Sequence, residues 1–136
     1  MVKNINRNID LLKIKSTDAT IDDKYIIDEL KDTLKFNSSR CVGMAANMIG
    51  YHKNIIVFYD DNDIKIMINP KIISQNKEYV AFEGCLSLDG VRRTVRYKNI
   101  KVSFLDESFN KRTKEYKDFT AQIIQHEIDH LSGIII

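Results

Sequence analysis

Gln125-His126-Glu127-Ile128-Asp129-His130-Leu131, close to the end of the chain, is the stretch whose reading decides the rest. Taken as a helix, it puts His126 and His130 one turn apart on the same face. Two neutral imidazole nitrogens at that spacing can share one divalent metal, and Glu127 projects beside them as a base toward a water on the metal. Ala121, Ile124, Ile128 and Leu131, spaced 3, 4 and 3, form an apolar stripe that docks this helix into a core. Histidines on a buried helix face must be satisfied, and a metal satisfies them. A catalytic metal usually takes a third protein ligand. The remaining candidates are His52, Cys41 and Cys85. Cys85 stands out within Glu83-Gly84-Cys85-Leu86-Ser87, where Gly84 allows an unusual backbone and a thiolate suits a borderline-soft metal.

The bulk numbers describe one compact domain over residues 1–136, with 43% hydrophobic residues. Its 21 basic and 19 acidic side chains are mixed along the chain and leave +2. That balance gives no electrostatic case for nucleic acid or an anionic membrane. Two cysteines make no disulfide framework, and the charged first thirty residues contain neither a signal-peptide core nor a membrane span. The expectation is a soluble cytoplasmic protein.

Working outward, Met1 to Lys15 reads as extended or partly irregular. Thr20 and Asp23 look like a helix start, and Ile27, Leu30 and Leu34 predict a helix at about 21–36. Cys41 to Gly50 reads as a loop of small residues. Residues 54–59 and 64–68 predict a hairpin across an acidic turn, with Pro70 closing its second strand. Tyr79 to Phe82, Val95, Ile100 to Leu105 and Glu115 to Lys117 predict further short strands. Asp118 reads as the N-cap of the histidine helix and Gly133 as its stop. The order is that of an α+β domain, short antiparallel strands around a central metal-binding helix.

Three ordered stretches resemble the peptide deformylase family. The family pattern is Gly-x-Gly-x-Ala-Ala-x-Gln, then Glu-Gly-Cys-Leu-Ser, then Gln-His-Glu-x-Asp-His. The second stands intact at Glu83–Ser87 and the third at Gln125–His130, while Cys41–Met48 matches the first in part. Asn69-Pro70 and the continuation from Ser87 to Val95 extend the likeness over nearly the whole chain. The resemblance implies that Cys85, His126 and His130 hold the metal, in the family usually ferrous iron (Fe2+), replaceable by nickel, cobalt or zinc (Ni2+, Co2+, Zn2+). It implies Glu127 as general base and then acid, with the Leu86 N–H and the metal holding the oxyanion. The implied reaction removes the formyl group from the N-terminal methionine of new polypeptides. Val42, Ala81, Phe119, Gln122 and Ile123 fall at the methionine pocket, Gly43 at a substrate-binding position and Arg92 at a peptide-contacting one.

This sequence also departs from the family. Met48 stands where the family has the glutamine that donates to the oxyanion, and a thioether has no donor. Asn47 carries an amide one residue earlier. Cys41 replaces the first glycine, either as a small buried side chain or as a second thiol near the metal. Asp89 stands for a frequent proline and Tyr97 for a frequent arginine. Glu83 needs a cation, for which Arg93 and Arg96 both qualify, and Gln122 is polar for a methionine pocket. The chain stops at Ile136, where many relatives continue into a strand and helix, which leaves ribosome docking doubtful. The leading expectation is a deformylase weakened at its oxyanion hole. The alternatives are a metal-binding homologue that recognises peptide N-termini, an amidase for another acylated amine, and a metalloendopeptidase.

Overall fold

The computed structural model describes residues 1–135. A one-turn helix α1 (Ile9–Leu12) lies within the N-terminal segment, with Asn8 Oδ1 accepting the Leu11 N–H. A short 3₁₀ turn at Ile21–Asp23 leads into α2 (Lys24–Phe36), and the Asp23 carboxylate accepts the Thr20 N–H at 2.9 Å. Five antiparallel strands follow in sequence order: β1 (Gly43–Ala45), β2 (Ile55–Asp60), β3 (Asp63–Cys85), β4 (Leu88–Leu105) and β5 (Lys111–Lys117). The chain closes with α3 (Asp118–Leu131).

The architecture is α+β as expected, but the strands are fewer and longer. Pro70 does not end a strand. β3 runs on through it, and the register against β4 shifts between Ile68 and Lys71, where Asn69 takes φ +51°. A proline without an N–H is tolerated at such a bulge, where the ladder is already interrupted. Tyr79–Phe82 and Cys85 therefore belong to the strand that begins at Asp63. The small-residue stretch read as a loop contains β1, paired with β2 from Gly43↔Phe58 to Ala45↔Ile56.

The core lies between the sheet and the two long helices. Ile26, Ile27, Leu30 and Leu34 of α2 and Ala121, Ile124 and Leu131 of α3 meet Ile55–Phe58 of β2 and Met67 of β3, all buried. Asp118 is not the cap of α3. It is the first residue of the helix, at φ +55°, and no side chain caps this end. Gly133 does stop the helix, at φ +79°. A Cβ there would stand 2.3 Å from the Lys13 carbonyl oxygen, so only glycine lets the helix end pack on the N-terminal segment.

Candidate metal centre

Two elements deliver the reactive side chains. α3 buries His126, Glu127 and His130 on its sheet-facing side. The β3–β4 hairpin supplies Cys85 at the last position of β3, opposite Leu88, with Leu86-Ser87 as a two-residue turn. Gly84 has an ordinary φ; the left-handed residue here is Gly90, at φ +78°. The ligand atoms of Cys85, His126 and His130 lie within 4.8 Å of one another. His126 Nε2 and His130 Nε2 face each other at 3.0 Å. Two nitrogen lone pairs cannot oppose each other that closely, so a proton or a cation must lie between them.

Glu83 decides which nitrogen His126 presents. Burial alone would raise its carboxyl pKa, but His126 and Arg96 outweigh that and bring it down to about 2. The ionised Oε1 accepts His126 Nδ1–H at 2.8 Å, which leaves Nε2 for a ligand. Of the two arginines considered, Arg96 is the partner. It is 3% exposed, and its Nε and Nη2 donate to Glu83 at 2.7–3.1 Å while Nη1 donates to Asp129 at 2.6 Å.

A cavity of about 460 Å³ opens beside this cluster. Its walls include Val42, Gly43, Met48, Cys85, Leu86, Phe119, Gln122, Ile123, His126 and Glu127. Ala81 is buried but does not reach the wall; Phe82, the next residue of β3, does, because successive side chains point to opposite faces. Arg92 also stays off the wall, with Nη2 donating to the Asp89 carbonyl. Glu127 is 5% exposed and one carboxylate oxygen, Oε1, has no hydrogen-bond partner. Burial pushes its pKa up to about 7. Gly43 leaves room for it: a Cβ there would meet Glu127 Oε2 at 3.0 Å and Ile123 Cγ2 at 2.7 Å.

The substituted positions each have a definite place. Met48 is buried at the cavity wall, and its Sδ accepts the Ala45 N–H at 3.4 Å, so it offers no donor. Asn47 cannot take over, because its Nδ2 is committed to the carbonyl of His130 at 2.8 Å. Cys41 is neither fully buried nor part of the ligand cluster. It lines the cavity, donates its S–H to the Gly43 carbonyl at 2.7 Å, and burial pushes its thiol up to about 12. His52 stays outside the site, with Nε2 at 3.1 Å from the Leu11 carbonyl.

Two contributors have roles that the sequence does not assign. Arg7 donates to the Leu86 carbonyl at 2.9 Å and to Asp89 at 2.8 Å, so the N-terminal segment holds the Cys85 hairpin from outside. Gln125 bonds both backbone groups of Tyr97 at 2.8 Å, as a strand partner would, beyond the point where β5 stops pairing with β4 at Asn99. The signal for Gln125 in the sequence is its place directly before His126 in the Gln125–His130 stretch.

One thiol and two imidazoles, with the imidazole tautomer set by a buried carboxylate, form a donor set suited to a first-row divalent metal. Fold and site together define an α+β domain with a Cys-His-His group able to hold one divalent metal beside a buried carboxylate. The family profile described as polypeptide deformylase matches residues 3–136. The chain is 52% identical over all 136 residues to a peptide deformylase of Clostridium beijerinckii, covering the whole of both. It is 37% identical over 127 residues to that of Dictyoglomus thermophilum, covering 91% of this chain and 79% of the relative. The crystal structure of the Thermotoga maritima peptide deformylase superposes with a TM-score of 0.90 at 28% identity, over 99% of this chain and 95% of that one. The chain belongs to the peptide deformylase family.

Proposed function

We propose that this protein removes the N-formyl group from the N-terminal methionine of new polypeptides, in the cytoplasm, with Cys85, His126 and His130 holding its metal. The observation that carries this reading is the buried Glu127 carboxylate, one oxygen unpartnered, at the cavity wall beside three ligand-type side chains. A peptide-binding module without turnover needs no such base. The cysteine among the donors separates the site from the usual metalloendopeptidases. No helix is long and apolar enough to cross a membrane among the described residues. Fe2+ is the proposed ion in the cell, with Zn2+, Ni2+ or Co2+ as substitutes.

Bound by these three residues, a divalent cation supplies the Lewis acidity that activates a water and polarises the formyl oxygen. Glu127 accepts the water's proton and returns it to the departing amine, leaving formate and a free N-terminus. Leu86 donates its backbone N–H to the oxygen on which negative charge develops. Val42, Gly43, Phe119, Ile123 and the methylenes of Gln122 enclose the methionine side chain. Met48 adds no side-chain donor to the Leu86 N–H, so turnover falls below that of a glutamine-bearing site.

The test is formate release from a formyl-Met peptide by anaerobically prepared, Fe2+-loaded protein, with Glu127→Gln beside it. The expected result is turnover by the parent and none by the variant at equal metal content, because an amide cannot accept the proton. Turnover by Glu127→Gln at the parental rate, or none by the loaded parent, contradicts the reading.

A further inference from the structure

Gln122 is the polar residue that fits a methionine pocket least well, and its hydrogen bonds account for it. Its Nε2 donates to Glu83 Oε2 at 2.8 Å, and its Oε1 accepts the Tyr79 hydroxyl at 3.0 Å. The amide cannot be turned the other way, since that would set Oε1 against the ionised Glu83. Its polar end is therefore directed at Glu83 and Tyr79. Tyr79 lies opposite Arg96 in the β3–β4 register, so the hydroxyl comes from the same rung as Glu83's cation.

Glu83 has two oxygens with unequal company. Oε1 takes His126 Nδ1–H at 2.8 Å, Arg96 Nη2 at 2.7 Å and a share of Arg96 Nε at 3.1 Å. Oε2 receives Arg96 Nε at 3.0 Å and otherwise only Gln122. The last torsion of a glutamate is soft and roughly two-fold, so its partners fix the carboxylate plane. From this geometry we infer that Gln122, oriented by Tyr79, is a positioning residue for the metal centre: it holds the Glu83 carboxylate plane that aims His126 Nε2. The inference rests on the proposed ligand role of His126 and adds a further tier, Tyr79 to Gln122 to Glu83 to His126. It also accounts for a polar residue at a position that the family resemblance places at the methionine pocket, since both ends of its amide are engaged away from that pocket's ligand.

The experiment is zinc affinity by chelator competition on the folded parent, Gln122→Met, Tyr79→Phe and the double variant. Methionine nearly matches glutamine in length, so packing is kept while the donor is lost. Gln122→Met should bind Zn2+ about tenfold more weakly, the low end of the range for outer-shell partners of a metal-bound histidine. Tyr79→Phe should weaken binding by less, and should add nothing in the Gln122→Met background. A merely structural role would lower the melting temperature of the metal-free variants and leave the zinc dissociation constant unchanged. Equal affinity for the parent and both single variants overturns the inference while leaving the proposed function intact. A parent that fails to bind one zinc per chain overturns the reading of the site, and this inference with it.

Discussion

Replacing Met48 by glutamine should raise turnover on formyl-Met peptides by one to three orders of magnitude. Met48 lines the cavity with Cys85, Leu86 and Glu127, but its sulfur is turned onto the Ala45 N–H at 3.4 Å. In the proposed mechanism the developing oxyanion would meet the Leu86 N–H and the cation that Cys85, His126 and His130 would hold, but no side-chain amide. One oxyanion donor is worth about 100- to 1,000-fold in turnover, or ~3–4 kcal/mol. Against this gain stands the loss of a weak N–H···S contact at a buried amide, a stability cost of about 1 kcal/mol. The two side chains are similar in length, so the effect is attributable to the amide. The gain should appear in kcat rather than KM, because the contact strengthens as charge moves onto the oxygen. The assay is steady-state formate release by parent and variant at matched metal content. Equal near-zero rates would show that more than the missing donor limits the site, and would favour a metal-binding homologue that recognises N-termini without useful turnover. A rate that falls on the variant would point to a specialised acylated amine as substrate.

Two further outcomes follow from polar groups, one buried and one half-buried. Arg96→Met strands the Glu83 carboxylate and should destabilise the metal-free protein by about 3–5 kcal/mol in urea denaturation, the cost of breaking a buried pair; a change under about 1 kcal/mol would mean that Gln122 and His126 satisfy Glu83 by themselves. Tyr116 packs edge-on against Phe58, and burial together with the Asp60 carboxylate pushes its phenol up to about 12. The folded state thus keeps a proton that the unfolded chain releases near pH 10, so this contribution is complete below pH 10 and is lost as pH rises to 12. Tyr116→Phe should flatten the fall in stability across that window, and identical pH profiles for parent and variant would refute the assignment.

What could be read from the sequence was local chemistry. The helix bearing His126 and His130 announced itself by spacing, α2 by its apolar stripe and a helix start at Thr20 and Asp23, and Cys85 by its turn-like surroundings. Pro70 misled because a proline ends most strands, whereas a bulge at Asn69 lets this one continue. Cys41 looked like a buried hydrophobe because its position on the cavity depends on how β1 pairs with β2. The choice of Arg96 over Arg93 was equally hidden. Along β4 the two differ by three residues and so face opposite ways, but which side faces α3 is fixed only by the register from Tyr79↔Arg96 to Glu83↔Arg92. Arg7 and Asp89 are separated by 82 residues, and nothing near either announces the other.

The central claim is that Cys85, His126 and His130 hold the catalytic metal, and X-ray absorption at the metal edge tests it most directly. Zinc-loaded protein should show one sulfur near ~2.3 Å and two nitrogens near ~2.0–2.1 Å. Cys85→Ser should lose the sulfur and most of the bound metal, since a neutral hydroxyl replaces a thiolate. A shell made only of nitrogen and oxygen in the parent, or an unchanged sulfur and metal content in Cys85→Ser, would contradict the account.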